Sequence, residues 1–305
     1  MGKIVVVGSS NTDLVVDSKK IPSPGETVLG GDFNMISGGK GANQAVAASR
    51  AGSDVTFICK VGNDYFGNRA IQEYKKENIN LNHIFIDKVH PSGVAVIIVD
   101  EISGENSIVV APGSNNYLSV KDIMLVEEKI IRADIVLIQL EIPISTVECV
   151  LRLAKKNNVK TILNPAPAQM LSDELLSMVD IITPNESETE NLIGIYPDNE
   201  EKLEAAGKEL LKKVRNAILI TLGEKGVYLN SKNKSSQLIP AKNVKAIDTT
   251  AAGDVFNGYL ASSLSDNKKL EEAINIAIEA AAISVTKRGA QPSIPVINEL
   301  INFNQ

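Results

Sequence analysis

The stretch IVLIQLEIPISTVECVLRLAKKNNVKTIL, residues 135–163, contains the pattern from which the fold is predicted. Its two ends, 135–140 and 160–163, are short and apolar, and the segment between them at 145–157 has the mixed character of an amphipathic helix. Strands that are apolar throughout are typical of sheets buried on both faces, and strands separated by helices pair in parallel. This stretch therefore predicts a strand–helix–strand unit of a parallel sheet.

The same alternation runs through most of the chain. Further strands are predicted at 4–7, 55–60, 181–183 and 217–221, and further helices at 42–50, 67–77, 120–132, 200–214 and 270–286. Helices between parallel strands cover both faces of the sheet. We predict an α/β fold with three layers, α/β/α, around a central and mostly parallel sheet.

Two segments, 11–37 and 91–111, break this alternation. They contain short strand-like pieces such as VAVIIVD and SIVVA, with EISGEN between those two as a turn. One interpretation is that they are loops decorating the core, and the other is that they form a small β-sheet lid over the C-terminal edge of the main sheet. Because no linker, repeat or low-complexity segment divides the chain, we expect one domain over 1–305 with the lid as an insertion.

The composition limits the class of protein. Of 305 residues, 44% are hydrophobic and 22% are charged, and the net charge of −6 argues against a general nucleic-acid binder, which carries a basic excess. Cys59 and Cys149 lie far apart in apolar runs, as buried thiols of a reducing compartment do, and His83 and His90 are too few for a zinc site. Without an apolar stretch of membrane-spanning length or a signal-peptide pattern, the sequence predicts a cytoplasmic protein with no membrane partner.

The motif DTTAAGDVFNGYL, residues 248–260, places Asp254 directly after two alanines and a glycine, where an apolar helix begins. An acid in the first helical turn stabilises the helix dipole, so Asp254 is explained by capping alone. The same position suits a site in which free backbone N–H groups bind an anion while a carboxylate accepts a proton. The residues by themselves leave both interpretations open.

Polar and glycine-rich stretches follow other predicted strands. GSSNTD, residues 8–13, brings Asn11 and Asp13 to a strand end, where open α/β sheets bind ligands, but it lacks the glycine spacing of a dinucleotide site. SGGKGANQA, residues 37–45, allows close backbone approach before a helix, although it does not have the spacing of a Walker loop. By itself this loop is weak evidence for a ligand site.

Two later stretches have a structural and a functional interpretation. In TPNESETE, residues 183–190, Asn185 caps a helix, or Glu188 helps to hold a hydrated magnesium ion beside phosphates. In TLGEKGVYL, residues 221–229, Gly223 and Gly226 form a tight turn between strands, or they let a nucleotide lie against the backbone.

The order of these motifs resembles the PfkB family of carbohydrate kinases over essentially the whole chain, from VVVGSSNTDLV to TKRGAQPS. GGKGANQA and the alanines of TTAAGD are more similar to the members that act on ribose than to those that act on fructose or adenosine. The resemblance implies the three-layer fold and ATP-dependent phosphorylation of a sugar, D-ribose at its 5-hydroxyl, with 2-deoxyribose, another sugar or a nucleoside as the alternative. Intact Asp254 argues against a sugar sensor without catalysis, and the missing glycine fingerprint argues against a nicotinamide oxidoreductase.

The resemblance also assigns roles to residues. Asp254 is the expected catalytic base, and the N–H groups of Ala251, Ala252 and Gly253 are the expected anion hole. The residues expected to bind the sugar are Asn11, Asp13, Gly39, Lys40, Asn43 and Glu141, together with Asp254. The residues expected to bind ATP are Asn185, Glu188, Thr221, Gly223 and Gly226, while the adenine region near 270–280 has no sharp motif.

Two ions and a partner are implied in the same way. Magnesium is expected near Glu188 through water, and potassium is expected in a cage of Asp248, Thr250, Ser284, Lys287 and Gly289, with Ser293 nearby. The two segments of this cage, DTT and SVTKRGAQPS, are merely turns when they are interpreted without the resemblance. The apolar faces of the lid imply a homodimer, because apolar strands are costly to leave in water.

Overall fold

The structure, a computed structural model, describes residues 1–100, 102, 105–232 and 234–303. Strands and helices alternate along most of it, as the sequence predicts. The strands are β1 (Lys3–Val7), β2 (Asn11–Ser18), β3 (Phe33–Gly38), β4 (Asp54–Gly62), β5 (Ile84–Asp87), β6 (Gly93–Asp100), β7 (Asn106–Ala111), β8 (Ile135–Ile138), β9 (Lys160–Leu163), β10 (Ile181–Ile182), β11 (Ala217–Thr221), β12 (Val227–Ser231) and β13 (Lys234–Ile239). The helices are α1 (Lys40–Arg50), α2 (Tyr65–Lys75), α3 (Val120–Leu125), α4 (Glu127–Ile131), α5 (Ile144–Lys156), α6 (Asp173–Leu176), α7 (Glu186–Ile193), α8 (Glu200–Lys213), α9 (Ala252–Ser265), α10 (Leu270–Ser284), α11 (Ala290–Ser293) and α12 (Ile297–Phe303).

The main sheet of the described residues has nine strands in the order β13-β12-β11-β10-β9-β8-β1-β4-β5. β1 lies in its middle, parallel to β4 on one side and to β8 on the other. Only the pairs β11–β12 and β12–β13 are antiparallel. The predicted central and mostly parallel sheet is therefore confirmed.

Alternate residues of each strand pack into two separate cores. In β1, Ile4 and Val6 belong to one core with α1, α2, α9 and α10, and Val5 and Val7 belong to the other with α3, α4, α5 and α8. Because both faces are covered, the strands need no polar face, and this explains the uninterrupted apolar runs in the sequence. The predicted three layers are confirmed.

Two details differ from the sequence-based expectation. The helix predicted at 120–132 is divided at Val126, whose φ of −125° and ψ of 15° are not helical, so α3 and α4 are separate. β5 and β13 were not predicted; both are edge strands, and β13 reads KSSQLI and is mostly exposed. An edge strand has one neighbour and keeps polar side chains, so it lacks the apolar signal of the central strands.

The segments that broke the alternation form a second sheet of four strands, in the order β3-β2-β6-β7. Each segment supplies an antiparallel pair, and β2 joins the two pairs by lying parallel to β6. This sheet, which we call the lid, leaves the main sheet just after β1, at the edge where the parallel strands end. The predicted small lid is confirmed, although residues 101, 103 and 104 of its predicted turn EISGEN lie outside the described residues.

Candidate active site

The predicted site residues come from distant parts of the sequence to one edge of the main sheet. Asn11 and Asp13 follow β1, Glu141 follows β8, Asn185 follows β10, and Thr221 ends β11. Parallel strands finish at a common edge, and α1 and α9 begin there as well, so their free N–H groups point to the same place. The parallel topology is therefore what assembles the site.

Asp254 lies in the first turn of α9 and is 6% exposed. Its carboxylate accepts one hydrogen bond on each oxygen, from Asn43 Nδ2 to Oδ2 (3.0 Å) and from Gln44 Nε2 to Oδ1 (2.9 Å). Both donors are on α1, which crosses α9 closely because Gly258 has no side chain. A Cβ there would come within 2.4 Å of the Ala47 Cβ and 2.9 Å of the Gln44 carbonyl oxygen. The crossing thus sets the distance between the acid and its two amide donors.

The turn before α9 exposes backbone N–H groups. Ala251 has a left-handed conformation, with φ of 60° and ψ of 8°, which bends the chain sharply into the helix. The Ala252 N–H donates to the carbonyl oxygen of Thr249 (3.2 Å), and it therefore departs from the expectation that all three N–H groups are free. Those of Ala251 and Gly253 have no acceptor among the described residues, so the turn presents two free donors rather than three.

Two glycines before α1, Gly38 and Gly39, let the backbone pass close to Asp13 and Asn11. A Cβ on Gly38 would lie 2.3 Å from Asp13 Oδ2, and one on Gly39, whose φ is 89°, would lie 2.7 Å from the Asn11 backbone nitrogen. Asn11 Oδ1 in turn accepts a hydrogen bond from Asn115 Nδ2 (2.7 Å). The two glycines are therefore required for the strand that carries the predicted sugar-binding residues to pass this closely.

Five ionisable side chains form what we call the charged cluster: Asp13, Lys40, Glu141, Glu188 and Asp254. Burial alone would lower the pKa of Lys40, but the nearby carboxylates raise it. Burial, followed by the charges of Glu141 and Asp254, raises the pKa of Asp13 to about 6. Burial also raises the pKa of Asp254, against the opposing effects of Lys40, Asn43 and Gln44. One lysine thus faces four acids, and burial raises the pKa of three of them, Asp13, Glu188 and Asp254.

Glu141 has a specific place in the charged cluster. Its Oε2 accepts from the backbone N–H of Lys40 (3.0 Å) and from Ser9 Oγ (2.5 Å). Lys40 is the first residue of α1, so this carboxylate lies at the positive end of the helix dipole. The arrangement fixes Glu141 beside the predicted sugar-binding residues.

A cleft of about 590 Å³ opens beside the charged cluster, and we call it the apolar cleft. Of the residues predicted to bind ATP, it contains Asn185, Thr221, Gly223 and Gly226, and its end is formed by Ala252 and Gly253. Nine of the other lining residues are small or apolar: Val227, Ala241, Val244, Ala246, Phe256, Ile278, Ala281, Ala282 and Val285. The remaining four are polar or charged: Glu186, Glu224, Lys242 and Thr249. The free N–H group of Gly253 thus lies in the lining of a mostly apolar cleft, which suits an aromatic ring that carries a phosphate tail.

Asn185 and Glu188 form a reciprocal capping box at the start of α7. Asn185 Oδ1 accepts from the Glu188 N–H (2.8 Å), and Glu188 Oε2 accepts from the Asn185 N–H (2.9 Å). Asn185 Nδ2 also donates to Glu188 Oε1 (3.2 Å). Capping is therefore present. Glu188 also takes part in the electrostatics of the charged cluster: burial raises its pKa, and the hydrogen bond from the Asn185 N–H and the charge of Lys40 oppose that rise.

The two segments of the expected potassium cage meet at Asp248. Its Oδ1 accepts from the Thr250 N–H (2.9 Å) and its Oδ2 from the Gly289 N–H (2.8 Å). The Ser284 carbonyl oxygen accepts the Lys287 N–H (3.0 Å), and Ser293 is fully buried. The structure thus brings together residues that are separated by about forty positions in the sequence.

Two groups of residues at the site were not predicted. The first group is made of buried amides: Gln44, Asn115 and Asn257 form hydrogen bonds with predicted residues, and Asn164 accepts one from Gln44. The second group is the apolar walls of the cleft, for which the sequence indicated only the region near 270–280, without any assigned residue. Gln44 lies inside the motif SGGKGANQA, and Asn164 follows β9 at the functional edge. These two positions are the features of the sequence that could have marked Gln44 and Asn164 as residues of the site.

None of the helices in the described parts of the chain combines the length and apolar character needed to cross a membrane. Within the same residues, no three His, Cys, Asp or Glu side chains are grouped closely enough to hold a metal ion between them. A cation at this site would therefore depend on other oxygen atoms, from the backbone, water or a ligand.

The chain is similar to known proteins over nearly its whole length. The family model described as "pfkB family carbohydrate kinase" matches residues 1–297. The chain is 46% identical to the ribokinase of Haemophilus influenzae over 300 residues, which cover 98% of this chain and 97% of that one. It is 36% identical to a deoxyribokinase of Salmonella typhimurium, covering 99% of each. The structure of Arabidopsis thaliana ribokinase complexed with ribose and ATP superposes with a TM-score of 0.91 at 30% identity, covering 99% of this chain and 98% of that one.

Proposed function

The chain belongs to the pfkB family of carbohydrate kinases, and we propose that its reaction is the transfer of the γ-phosphoryl group of ATP to the 5-hydroxyl of D-ribose. One observation carries the proposal. A buried carboxylate of the charged cluster, Asp254, directly follows Gly253, whose free N–H group lies in the lining of the apolar cleft. This is the place where an acceptor hydroxyl and a phosphoryl donor would meet.

In the proposed reaction, the 5-oxygen of ribose forms a bond to the γ-phosphorus as the bond from that phosphorus to the β,γ-bridging oxygen breaks. The hydroxyl proton passes to the Asp254 carboxylate, and the products are ribose 5-phosphate and ADP. Phosphoryl transfer needs alignment and charge stabilisation more than a strong base, so a carboxylate suffices. The N–H groups of Ala251 and Gly253 stabilise the charge on the equatorial oxygens.

The charged cluster and its neighbours would recognise the sugar hydroxyls. Asp13 and Glu141 accept hydrogen bonds, Lys40 donates, and Asn43 can do both. Asn43 Oδ1 is buried without a hydrogen-bond partner in the described residues, while its Nδ2 is used by Asp254. A buried acceptor without a partner is costly, so a sugar hydroxyl at this oxygen would remove that cost.

Magnesium fits as a water-mediated neighbour of Glu188. Both oxygens of this carboxylate already accept hydrogen bonds from Asn185, so direct coordination would break the capping box. Magnesium keeps several of its waters in most protein sites, which suits this arrangement. When bound, it would neutralise phosphate charge, and Glu188 would orient its water shell.

Potassium fits the loop pair around Asp248. The expected donors are oxygen atoms only, chiefly backbone carbonyls, with Asp248 as the single acid. Such a set suits a weakly hydrated monovalent cation, because carbonyl groups replace its water without adding several negative charges. When bound, it would add positive charge beneath the turn, while Asp248 holds the Thr250 and Gly289 N–H groups in place.

We also propose that residues 1–305 act as one kinase domain and that two copies pair through the lid. β7 is exposed along its whole length, and the lid leaves Phe33, Val96, Ile108, Val109 and Val110 in contact with water. Apolar patches of this kind are typical of interfaces. Light scattering at working concentration should give the mass of a dimer, and charged substitution of Val96 or Ile98 should give a monomer; a monomeric wild type would contradict the pairing.

A cytoplasmic location is proposed as well, because ATP is a cytoplasmic metabolite.

A coupled assay of ADP release tests the substrate. We expect the highest kcat/KM with D-ribose, about tenfold or more above 2-deoxyribose, because loss of the 2-hydroxyl leaves buried polar atoms unpaired. Fructose and nucleosides serve as the comparison substrates. Equal efficiency with ribose and 2-deoxyribose would favour the deoxyribokinase alternative, and turnover with a nucleoside alone would overturn the proposal.

A further inference from the structure

Gln44 contacts the proposed base and has no part in the reaction described so far. Its Nε2 donates to Asp254 Oδ1 at 2.9 Å, and the residue is fully buried. Asn43, its neighbour on α1, holds the other oxygen of the same carboxylate. Asn43 also offers an unpartnered oxygen to a ligand, whereas Gln44 has no atom left to offer.

The amide of Gln44 uses all of its hydrogen-bonding groups within the protein. Its Nε2 donates a second bond to Asn164 Oδ1 (3.0 Å), and its Oε1 accepts from Gln139 Nε2 (2.5 Å). Gln139 follows β8 and Asn164 follows β9, so two neighbouring strands of the sheet fix the orientation of this one amide. An ionised carboxylate only accepts hydrogen bonds, and this orientation presents N–H to Asp254.

A second chain of hydrogen bonds holds the turn on the other side of Asp254. Asn164 Nδ2 donates to the Thr183 carbonyl oxygen (3.4 Å), and Thr183 Oγ1 donates to Asn257 Oδ1 (2.7 Å). Asn257 Nδ2 then donates to the Gly253 carbonyl oxygen (2.8 Å). The same set of buried amides therefore supports both the carboxylate and the residue whose free N–H precedes it.

We propose that Gln44 is a positioning residue for the base: it fixes the plane of the Asp254 carboxylate and supplies the hydrogen bond that stabilises its charged form. This inference rests on the proposed function only in calling Asp254 the base. Gln44 acts through Asp254 and does not touch the substrate.

The charges around Asp254 explain why such a donor is needed. Lys40 on α1 faces it, as do Glu141 after β8, Asp13 on β2 and Glu188 on α7. Burial raises the pKa of Asp254, and Lys40, Asn43 and Gln44 oppose that rise. Since a base must be unprotonated, loss of one donor should move the acidic limb of the rate profile to higher pH.

The test replaces Gln44 by methionine, which has nearly the same volume and no amide. For Gln44→Met we expect the acidic limb of kcat to be raised by about one pH unit, so that kcat falls by about tenfold at pH values below that limb and recovers at higher pH. The KM for ribose should stay within threefold of that of the wild type. Gln139→Met is the graded comparison, since it removes a donor that orients the Gln44 amide but leaves the hydrogen bond from Gln44 to Asp254 in place, and it should move the limb in the same direction by less than a third as much.

A second measurement needs no substrate. The carboxyl ¹³C resonance of Asp254, assigned by its loss in Asp254→Asn, is titrated in the ligand-free wild type and in Gln44→Met. A higher titration midpoint in Gln44→Met supports the inference even when ribose is not the substrate, so the two proposals fail separately. If circular dichroism shows that Gln44→Met does not fold, Asn164→Ala frees the Gln44 amide and should give a smaller shift of the same sign. An unmoved midpoint, or a uniform loss of kcat at every pH, would overturn the inference.

Discussion

The charged cluster and the apolar cleft lie side by side at one edge of the sheet, yet they differ in the residue types that form them. The charged cluster holds four acids and one lysine, and most of their polar atoms are engaged by buried amides and backbone N–H groups. The apolar cleft is lined mainly by alanine, glycine, valine and isoleucine. Burial of like charges in the charged cluster costs free energy in the folded protein, as the raised pKa values of Asp13 and Asp254 indicate.

This difference implies two kinds of mutational effect. Changes in the charged cluster should alter kcat, pH dependence and stability, because its ionisable side chains are buried and influence one another's pKa values. Changes in the apolar cleft should alter the binding of one substrate through shape, with little effect on chemistry. The predictions below are arranged to test this separation.

Asp254→Asn should have the largest effect, a fall in kcat of roughly 10²–10⁴-fold, in line with the loss of a general base. The substituted amide oxygen can accept from only one of the two donors that now face the carboxylate, so the network must also rearrange. Steady-state kinetics gives the fall in kcat, and calorimetry of ribose binding shows whether the site survives. Turnover within tenfold of the wild type would leave Asp254 as a helix cap only.

Asp13→Asn should lower kcat/KM for ribose by about 10²-fold, since a charged acceptor of sugar hydroxyls is lost. The same change should stabilise the protein. The pKa of Asp13 is raised from 3.8 to about 6 in the folded state, so the folded state binds more protons than the unfolded state in that range. The stability of the wild type therefore falls as pH rises from about 4 to about 6.

Urea unfolding measures this second effect of Asp13→Asn. We expect the free energy of unfolding to rise by about 3 kcal/mol at pH 7.5 and to be nearly unchanged below about pH 3, where Asp13 is mainly protonated in both states. Asp17→Asn on the same strand is the matched control and should change neither stability nor kcat/KM. A destabilised Asp13→Asn at pH 7.5 would show that Asp13 carries no electrostatic cost.

The sequence predicted the main sheet and the charged cluster well because both leave sharp signals. The central strands are uninterrupted apolar runs, and Asp13, Lys40 and Glu141 are charged residues directly after strands or glycines. For Asp254, the residues alone do not decide between a capping and a catalytic role, and the catalytic role follows only from the resemblance that the order of the motifs shows. Its amide partner Gln44 was missed, since a buried amide in a helix gives no sign of which residue it contacts.

The apolar cleft was not predictable for a different reason. Ile278, Ala281 and Ala282 occur in an amphipathic helix, and nothing in their types separates a cleft wall from the core. The hydrogen bond from the Ala252 N–H to Thr249 likewise depends on the left-handed conformation of Ala251. Alanine seldom adopts this conformation, and the sequence does not indicate it. Shape and backbone geometry therefore had to come from the structure.

Ala282→Met tests the apolar cleft. A longer side chain on this wall should raise the KM for ATP about tenfold, a loss of about 1.4 kcal/mol of binding, while the KM for ribose stays within twofold. Ala282→Gly keeps the space and serves as the control. Equal changes in the KM for both substrates would mean that the two regions are not separate, and an unchanged KM for ATP would remove this wall from the nucleotide site.

We expect the smallest effect at the two loops around Asp248 that form the expected potassium cage. These loops lie outside the charged cluster and the apolar cleft and connect to them through Ala251 and Gly253. Activity should rise several-fold when sodium is replaced by potassium at constant ionic strength with magnesium saturating, because a larger and more weakly hydrated ion suits a cage of carbonyl groups. Asp248→Asn should remove most of this difference, since its carboxylate is what joins Thr250 to Gly289. The charged cluster is fixed by its own amides, so the KM for ribose should be the same in both salts, and the change should lie in kcat. Equal rates in sodium and potassium would show that the turn is ordered by protein contacts alone.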